Sequence, residues 1–345
     1  MAKKRQSVPV VDEIKVAKKK SPAELFAKED KEENSNIIIP DGKIHFRIPT
    51  GSIALDNILG GGIPAGRLTQ LYGEESVGKT SLLYRIISEA QKMGLSTVLV
   101  AQEGSFDEEF ARECGIDIDD VNTFHKYAGK FAEATLNRII EYIRLSNVQL
   151  IAIDSIAAVN PLDWEEKALR EKEGESGTKV AAQAKVVTEW IAKSVIPMLR
   201  NDVAIIAVNQ FRSNIGGYGS PVITTGGRCF QYNTVLKLRL NKHDHDKKQP
   251  LITKTTVVVE KGKDFHIQPF KVCELEFIHG KGLQREPEIA RLAEEYGIVD
   301  RVGAWYSYNS HKWQGRDEFV NYLKDDSDLL SDLEQQIRKK IKKEE

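Results

Sequence analysis

The stretch LTQLYGEESVGKTSLLYRIISEAQKMG, residues 68–94, contains an apolar run, a glycine-rich turn and an amphipathic helix pattern in direct succession. The turn fits the spacing G-x-x-x-x-G-K-T between Gly73 and Thr80. Glycines in this arrangement allow backbone N–H groups to surround phosphate oxygens at a helix N-terminus, where the peptide dipoles favour negative charge. We therefore predict a strand, a phosphate-binding loop and a helix over these residues.

Two side chains in this loop have defined roles in nucleotide binding. The Lys79 ammonium reaches the β- and γ-phosphate oxygens, and the Thr80 hydroxyl is a ligand for Mg²⁺. ATP and Mg²⁺ are therefore the predicted cofactors. A plain glycine turn is the alternative, but a strand before the motif and a helix after it stand where a phosphate-binding loop requires them. The predicted nucleotide contacts are Gly73, Glu74, Glu75, Ser76, Val77, Gly78, Lys79, Thr80 and Ser81.

The chain beyond this stretch alternates apolar strand-like runs with helical patterns. The strands STVLVAQ, VQLIAIDS and VAIIAVNQ are separated by helix patterns over 131–145 and 180–199. Continuous apolar strands of this kind are typical of a parallel sheet that helices cover on both faces. Three later runs, within 233–280, alternate apolar and polar residues and have the character of antiparallel strands that extend the same sheet. The predicted fold class is therefore α/β with a mostly parallel central sheet.

Acidic residues stand where two of these strands end. Asp154 ends the apolar run of VQLIAIDS and is the predicted second group at the Mg²⁺ site, with a strand-capping aspartate as the alternative. Glu103 follows STVLVAQ, where a carboxylate can orient or deprotonate an attacking water unless it is a solvated loop residue. Asp107 and Phe110 are candidates for a hydrogen bond and a ring contact to adenine, or else ordinary residues at the start of a helix.

A long glycine-rich segment begins at the end of VAIIAVNQ and reads NQFRSNIGGYGSPVITTGG, residues 209–227. Gln210 stands where a strand of the sheet should end, and its uncharged amide can hydrogen-bond a γ-phosphate. Ordering so many unconstrained residues costs conformational entropy, so we expect a ligand to order the segment. A cation, an aromatic ring and glycines together suit single-stranded nucleic acid. The predicted contacts are Arg212, Ile215, Gly216, Tyr218, Thr224, Thr225, Gly226 and Gly227.

Composition divides the chain into three parts. Residues 1–43 are polar and lysine-rich, and the first 20 carry a net charge of +5, which favours a solvated tail over a nucleic-acid arm. We assign 44–284 to the α/β core and 285–345 to a small α+β C-terminal domain with an aromatic hairpin pattern. The predicted core of this domain is Trp305, Tyr306, Tyr308 and Trp313, with a base-stacking surface as the alternative. With 50 basic and 51 acidic residues, the charge of the whole chain indicates no particular partner.

The cysteines and the hydropathy pattern exclude other classes of protein. Cys114, Cys229 and Cys273 are scattered and form no C-x-x-C pair, so neither a disulfide framework nor a zinc site is predicted. No window approaches the ~18 consecutive apolar residues of a membrane span, and the basic N-terminus lacks the apolar region of a signal peptide. We therefore expect a cytoplasmic protein without a membrane partner.

Several stretches together resemble the RecA family of DNA recombinases. They are TGSIALDNILGGGIPAGRLTQLYGEESVGKT (50–80), EGSFDEEFARECGIDID (103–119), IDSIAAVNP (153–161), NQFRSNIG with TTGG, and GAWYSY (303–308). The resemblance implies a RecA-type P-loop ATPase core with a short N-terminal appendage for polymerisation. It also implies an ATP-dependent helical filament, a homo-oligomer on single-stranded DNA that pairs this strand with homologous double-stranded DNA and exchanges strands.

The resemblance makes the ATP site an interface between subunits. Lys261 and Lys263 match two lysines that reach the ATP of the neighbouring subunit in this family, with solvated strand lysines as the alternative. Glu103 would activate the attacking water, and Gln210 would sense the γ-phosphate. These four residues are therefore predicted, together with the phosphate-loop lysine, to be catalytic.

The chain departs from the family pattern in three places. The segment 263–269 is about two residues longer than usual. The first DNA loop, about 162–179, is longer and more charged, and its candidate contacts are Arg170, Lys172 and Lys179, with a plain solvated loop as the alternative. Gln183 stands where an arginine is expected. Such drift suits a bacteriophage or mobile-element member, in a bacterial or phage-infected cell, with loader or mediator proteins as further partners.

Two other classes of ATP-binding protein share part of this pattern. A ring-forming motor such as a replicative helicase has the P-loop, acidic strand ends and cations from a neighbour, but requires neither SPVITTGG nor the GAWYSY domain. A non-catalytic regulator would bind ATP without hydrolysing it, whereas Lys79, Glu103 and Asp154 are all present. We therefore predict an ATP-hydrolysing, DNA-dependent recombinase.

Overall fold

A computed structural model of the chain describes residues 41–102, 104, 106–145, 147–162, 176–213, 222–243 and 252–344. Strands and helices alternate through the first part of the core, as the sequence predicts. In chain order they are β1 (Arg47–Ile48), α1 (Ile53–Ile58), β2 (Ile63–Pro64), β3 (Leu68–Gly73), α2 (Lys79–Lys92), β4 (Thr97–Ala101), α3 (Glu108–Glu113), β5 (Phe124–Tyr127), α4 (Ala132–Arg144), β6 (Leu150–Asp154), a 3₁₀ turn (Ile156–Ala158), α5 (Ser176–Arg200) and β7 (Ala204–Ser213).

The rest of the core is strand-rich, and a small α+β domain follows it. The core continues with β8 (Val222–Thr224), α6 (Gly227–Asn233), β9 (Thr234–Lys242), β10 (Ile252–Gly262), β11 (Val272–Ile278) and β12 (Gly282–Leu283). The small domain contains α7 (Glu286–Glu295), β13 (Asp300–Val302), β14 (Trp305–Tyr308), β15 (His311–Gln314), α8 (Arg316–Asp325) and α9 (Ser327–Glu344). Within the described ranges, no helix is long and apolar enough to cross a membrane.

The central sheet is mostly parallel, which confirms the predicted fold class. Its strand order is β12-β11-β10-β9-β3-β7-β6-β4-β5, with β8 paired to β7. The strands from β9 to β5 in this order run parallel, and β9, β10, β11 and β12 form antiparallel pairs. Helices α2 and α3 pack on one face of the sheet, whereas α4, α5 and α6 pack on the other.

Strand β9 differs from its predicted antiparallel character, because it pairs in parallel with β3 as well as antiparallel with β10. Its two cations lie over aromatic rings, although the Arg239 side chain is still 43% exposed. The Lys237 ammonium lies 4.3 Å from the ring centroid of Tyr72, and the Arg239 guanidinium lies 5.5 Å from that of Phe211. Both cations also pair with Glu260. An alternating pattern therefore arises here from a layer of cations over aromatic rings.

The small domain has the aromatic core that its sequence predicts, with one exception. Tyr306, Trp313 and Phe319 are each at most 3% exposed, and the Trp313 and Phe319 ring centroids are 4.6 Å apart. Trp305 is 49% exposed instead, because it lies on the opposite face of β14 from Tyr306. Strands β14 and β15 form the predicted hairpin.

Glu288 of α7 joins the small domain to the core. Its carboxylate accepts hydrogen bonds from Ser52 Oγ at 2.6 Å, from Ala54 N at 2.9 Å and from Ile53 N at 3.3 Å. These are donors at the N-terminus of α1, where no intrahelical partner is available. Burial raises the pKa of Glu288. The small domain thus caps a core helix with a buried carboxyl group.

A second buried carboxyl lies beside this contact. Asp56 Oδ1 accepts hydrogen bonds from Thr50 N and Thr50 Oγ1, both at 2.7 Å, whereas Oδ2 has no hydrogen-bond partner among the described residues. Burial raises the pKa of Asp56 to about 7, the charge of Glu288 adds to the increase, and the Thr50 hydrogen bonds oppose it. Below about pH 7 the folded protein therefore favours the neutral acid.

This assignment predicts how stability depends on pH. Because the folded-state pKa of about 7 exceeds the ordinary 3.8, the contribution of Asp56 is complete below the ordinary value and is lost as the pH rises through 7. Asp56→Asn retains a neutral group at every pH. We expect the free energy of unfolding of the wild type, relative to Asp56→Asn, to fall by on the order of 1–3 kcal/mol between pH 5 and pH 8 in urea titrations. A relative stability that stays constant or rises would contradict the assignment.

Candidate nucleotide-binding site

The predicted site residues meet at one edge of the sheet because β3, β6 and β7 are parallel neighbours. Gly73, the last residue of β3, lies opposite Gln210 of β7, and Asp154 follows the pair formed by Ile153 and Ala207. The phosphate loop, the carboxylate and the amide therefore open into one cavity of about 350 Å³. Its lining residues are Glu75, Ser76, Gly78, Lys79, Thr80, Ser81, Asp154, Val208 and Gln210.

The two glycines of the motif are required by close backbone approach. Gly78 has a left-handed φ of +86°, and a Cβ atom there would lie 2.6 Å from the ring of Phe277 on β11. A Cβ atom on Gly73 would lie 2.2 Å from the carbonyl oxygen of Leu240 on β9. Strand β9, the parallel neighbour of β3, and strand β11 thus leave no room for a side chain at either glycine.

The loop backbone and its lysine are held by further hydrogen bonds. The carbonyl of Val77 accepts from Thr255 Oγ1 at 2.9 Å, which ties the loop to β10. Lys79 is 9% exposed, and its Nζ donates to the carbonyl oxygens of Gly73, at 3.1 Å, and Glu74. These bonds fold the ammonium back over the loop, beside the N-terminus of α2. A positive charge and helix N–H groups at one cavity suit a phosphate.

Thr80 and Asp154 form the predicted metal pair. Thr80 Oγ1 donates to Asp154 Oδ2 at 3.0 Å, and both side chains line the cavity. Mg²⁺ prefers hard oxygen ligands and keeps several waters, so one hydroxyl and one carboxylate beside a phosphate site fit this ion. The donor set therefore matches the predicted Mg²⁺ site.

Asn209 ties the end of β7 to the segment that precedes α6. Its side chain is completely buried, its Nδ2 donates to Thr225 O at 2.9 Å, and its Oδ1 accepts from Gln210 N at 2.9 Å and from Thr225 N at 3.3 Å. The N–H of Thr225 is thereby engaged within the protein. Sequence analysis assigned a role to Gln210 alone, although a buried amide at the end of an apolar strand was an available signal.

The other predicted DNA contacts are described only in part. Backbone pairing places Arg212 opposite Ile223 and Thr224 opposite Phe211, and Lys179 lies in the first part of α5. Gly226 and Gly227 have left-handed φ angles of +102° and +73° at the start of α6. The remaining residues lie outside the described ones: Ile215, Gly216, Tyr218, Arg170 and Lys172.

Glu103 also lies outside the described residues. The preceding residue, Gln102, is described and shows where strand β4 ends. Ala101 of β4 lies opposite Asp154, and Gln102 N donates to Asp154 O at 2.8 Å. The strand that leads to Glu103 thus ends beside the predicted metal ligand.

The two predicted adenine contacts have structural partners and do not line the cavity. Asp107 is the N-cap of α3, and its Oδ1 accepts from Phe110 N at 3.1 Å. The Phe110 ring packs against Tyr84 with centroids 5.7 Å apart. These contacts match the ordinary helix-start alternative, and an adenine contact remains a prediction.

Lys261 and Lys263 lie at the opposite edge of the sheet from the phosphate loop. Their ammonium groups donate to the last carbonyls of α6, Lys261 to Gln231 O at 2.6 Å and Lys263 to Tyr232 O at 2.8 Å. Thr255, which contacts the loop, is six residues from Lys261 along β10, or about 20 Å. Within one chain these lysines therefore do not reach the nucleotide cavity. Burial, with the charges of Lys263 and Lys237, lowers the pKa of Lys261 to about 8.

Comparison with known proteins agrees with this geometry. The RecA N-terminal domain model matches residues 40–284, and the RecA C-terminal domain model matches residues 287–342. The chain belongs to the RecA family. Protein RecA of Chlorobaculum parvum is 36% identical over 297 residues, covering 84% of this chain and 82% of the relative. Protein RecA of Legionella pneumophila is 34% identical over 298 residues, covering 85% and 83%.

Membership in the RecA family decides between the three classes of ATP-binding protein that share part of the sequence pattern. This RecA-family protein is a DNA-dependent ATPase of recombination and repair, with ATP and Mg²⁺ as cofactors. It forms homo-oligomeric helical filaments on single-stranded DNA and exchanges strands with homologous double-stranded DNA. A ring-forming motor and a non-catalytic regulator are thereby excluded.

The position of Gly78 predicts a specific loss of nucleotide binding. In Gly78→Ala the added methyl group would meet Phe277 and force the loop out of its left-handed turn, so ATP affinity should fall by at least about 10-fold in calorimetric titrations. Gly94→Ala is the matched control, because Gly94 has a φ of +73° but nothing within 4 Å of its Cβ position. Unchanged ATP affinity in Gly78→Ala would show that the loop does not require this conformation.

Proposed function

We propose that the cavity at the end of β3 binds the triphosphate of ATP and that the end of β7 transmits its occupancy to DNA. One observation supports this proposal above all others. Gln210 lies directly opposite Gly73, while the preceding residue, Asn209, is bonded to Thr225 at the base of the glycine-rich segment. A shift of β7 at the nucleotide is therefore a shift of the segment that carries the predicted DNA contacts.

Each group at the cavity edge then has a chemical role. Bound ATP and Mg²⁺ supply the phosphoryl group to be transferred and the cation that neutralises its charge. Lys79 stabilises negative charge on the phosphate oxygens, and Thr80 with Asp154 holds the metal. Glu103 orients the attacking water, and the Gln210 amide donates to the γ-phosphate.

We assign Lys261 and Lys263 to the nucleotide site of the next protomer. An open filament requires an interface that pairs two different surfaces of the same chain. The phosphate-loop edge exposes Glu74 and Glu75, and the opposite edge carries these two lysines. Opposite charges at opposite edges favour head-to-tail stacking. The lysines would exchange the carbonyls of α6 for phosphate oxygens.

DNA binding is assigned to the segments that follow β6 and β7. Arg212 would contact a phosphate, Ile215 and Tyr218 would contact bases, and the backbone at Thr224, Gly226 and Gly227 would approach the strand closely. The N–H of Thr225 is bonded to Asn209 Oδ1, so we do not assign it to DNA. Arg170 and Lys179 would supply further phosphate contacts. Such backbone contacts read no sequence and weaken with added salt.

The cytoplasm of a bacterial or phage-infected cell is the proposed location. Cys114, Cys229 and Cys273 form no disulfide in the structure, which suits a reducing compartment. The relatives of similar sequence are proteins of bacteria.

Substitution of the phosphate-loop lysine tests the proposed site. We expect Lys79→Ala to lower ATP-dependent strand exchange by about 100-fold or more, because the charge that stabilises the phosphate oxygens is removed. Lys92→Ala is the control, since Lys92 lies on the same helix, its side chain is 54% exposed, and its ammonium pairs with Glu89 at 2.9 Å. Strand exchange by Lys79→Ala at the rate of Lys92→Ala would refute the assignment of this cavity.

A further inference from the structure

Gln183 of α5 is a buried amide with an unusual set of acceptors. Its side chain is 3% exposed, and its Nε2 donates to the carbonyl oxygens of Val159, at 2.9 Å, and of Ile156 and Ala157, both at 3.3 Å. The side-chain amide has two N–H groups, so three carbonyls converge on them. Because the three acceptors belong to three different residues of one turn, these hydrogen bonds hold the conformation of the whole turn.

The turn that Gln183 holds is the continuation of the metal-binding strand. Asp154 ends β6, and the 3₁₀ turn over Ile156–Ala158 begins two residues later. After this turn the chain passes Leu162, whose N–H donates to Glu133 Oε2 at 3.0 Å, and enters the first DNA loop. Gln183 therefore lies between the predicted metal ligand and that loop.

The next residue of α5 contacts the base of the second DNA segment. A Cβ atom built on Gly227 would lie 3.0 Å from the Cβ of Ala184, which is tighter than an ordinary contact. Gly227 begins α6, directly after Thr225 and Gly226, and has a left-handed φ of +73°. The backbone of the second segment therefore rests on α5 with no side chain between them.

We propose that Gln183, with Ala184, is a positioning joint that makes the two DNA-binding segments respond together to the nucleotide. The joint connects Asp154 through the 3₁₀ turn to α5, and α5 to Gly227, Thr225 and Asn209 at the end of β7. This series of contacts begins at Asp154, which lines the nucleotide cavity, and ends at Asn209, which directly precedes the lining residue Gln210. The proposal rests on the proposed function, and it adds a residue that contacts neither ATP nor DNA.

An uncharged amide is suited to this role, and an exposed cation is not. Gln183 stands where the family pattern has an arginine, and an exposed arginine would be available to bind a phosphate. Gln183 is only 3% exposed, so its amide lies inside the protein and donates its hydrogen bonds to the carbonyls of the turn. Removing the amide would leave three buried carbonyls without these donors, which favours rearrangement of the turn.

The experiment compares Gln183→Met with the wild type and with Gln91→Met. Methionine keeps the length of the side chain but lacks the donors. Gln91 is a matched control because its Nε2 also bridges two acceptors, Asp117 O at 2.8 Å and Thr123 Oγ1 at 2.9 Å, away from both segments. The affinity for a fluorescent single-stranded oligonucleotide is measured with and without a slowly hydrolysed ATP analogue, and the affinity for the analogue is measured with and without the oligonucleotide.

We expect the factor by which the analogue tightens DNA binding to fall by about 10-fold in Gln183→Met, and the reciprocal factor to fall equally. The affinity for the analogue in the absence of DNA should change by less than about 2-fold, as should both factors in Gln91→Met. Unchanged coupling in Gln183→Met overturns the proposal.

Two further results keep the test decisive. If Gln183→Met does not fold, Ala184→Val tests the same joint by adding bulk against Gly227, and unchanged coupling in that variant overturns the proposal. If the wild type itself shows no coupling between the analogue and DNA, the proposed function fails. A loss of coupling in Gln183→Met, measured beside intact coupling in the wild type, is therefore distinguishable from a failure of the proposed nucleotide site.

Discussion

The parallel register of β3, β6 and β7 is the constraint on which the rest of the site depends. It places Gly73 opposite Gln210 and brings Asp154 to the same edge, so that the phosphate loop, the predicted metal ligand and the amide open into one cavity. A slip of one residue in any of these strands would turn its side chains to the other face. Strands β9 and β11 add a second restraint, because Leu240 and Phe277 leave no room for a side chain at Gly73 and Gly78.

Buried amides connect this cavity to the segments beyond the strands. Asn209 holds the base of the second segment against β7, and Gln183 holds the turn after β6 against α5. Neither side chain is charged, so a rearrangement exchanges neutral hydrogen bonds without exposing a buried ion. A device of this kind can have two arrangements of similar free energy, and a ligand that prefers one of them shifts the population.

Much of the fold and of the cavity could be predicted from local pattern. The G-x-x-x-x-G-K-T spacing and the apolar strands identify Lys79, Thr80 and Asp154, because short-range physics determines both the loop and the strand ends. The parallel pairing of β9 could not be predicted, since the cations over Tyr72 and Phe211 mimic a solvated face. The roles of Asn209 and Gln183 depend on acceptors 16 and 24 to 27 residues away, which no local pattern specifies.

We infer that nucleotide at the end of β7 stabilises the base of the segment that carries the predicted DNA contacts. Hydrogen exchange of peptides that cover Ala204–Ser213 and Gly227–Asn233 tests it directly, with the bare protein compared with the protein bound to an ATP analogue and single-stranded DNA. The account predicts slower exchange of both peptides in the bound state. Equal exchange in the two states, with the phosphate-loop peptide alone protected, would contradict it.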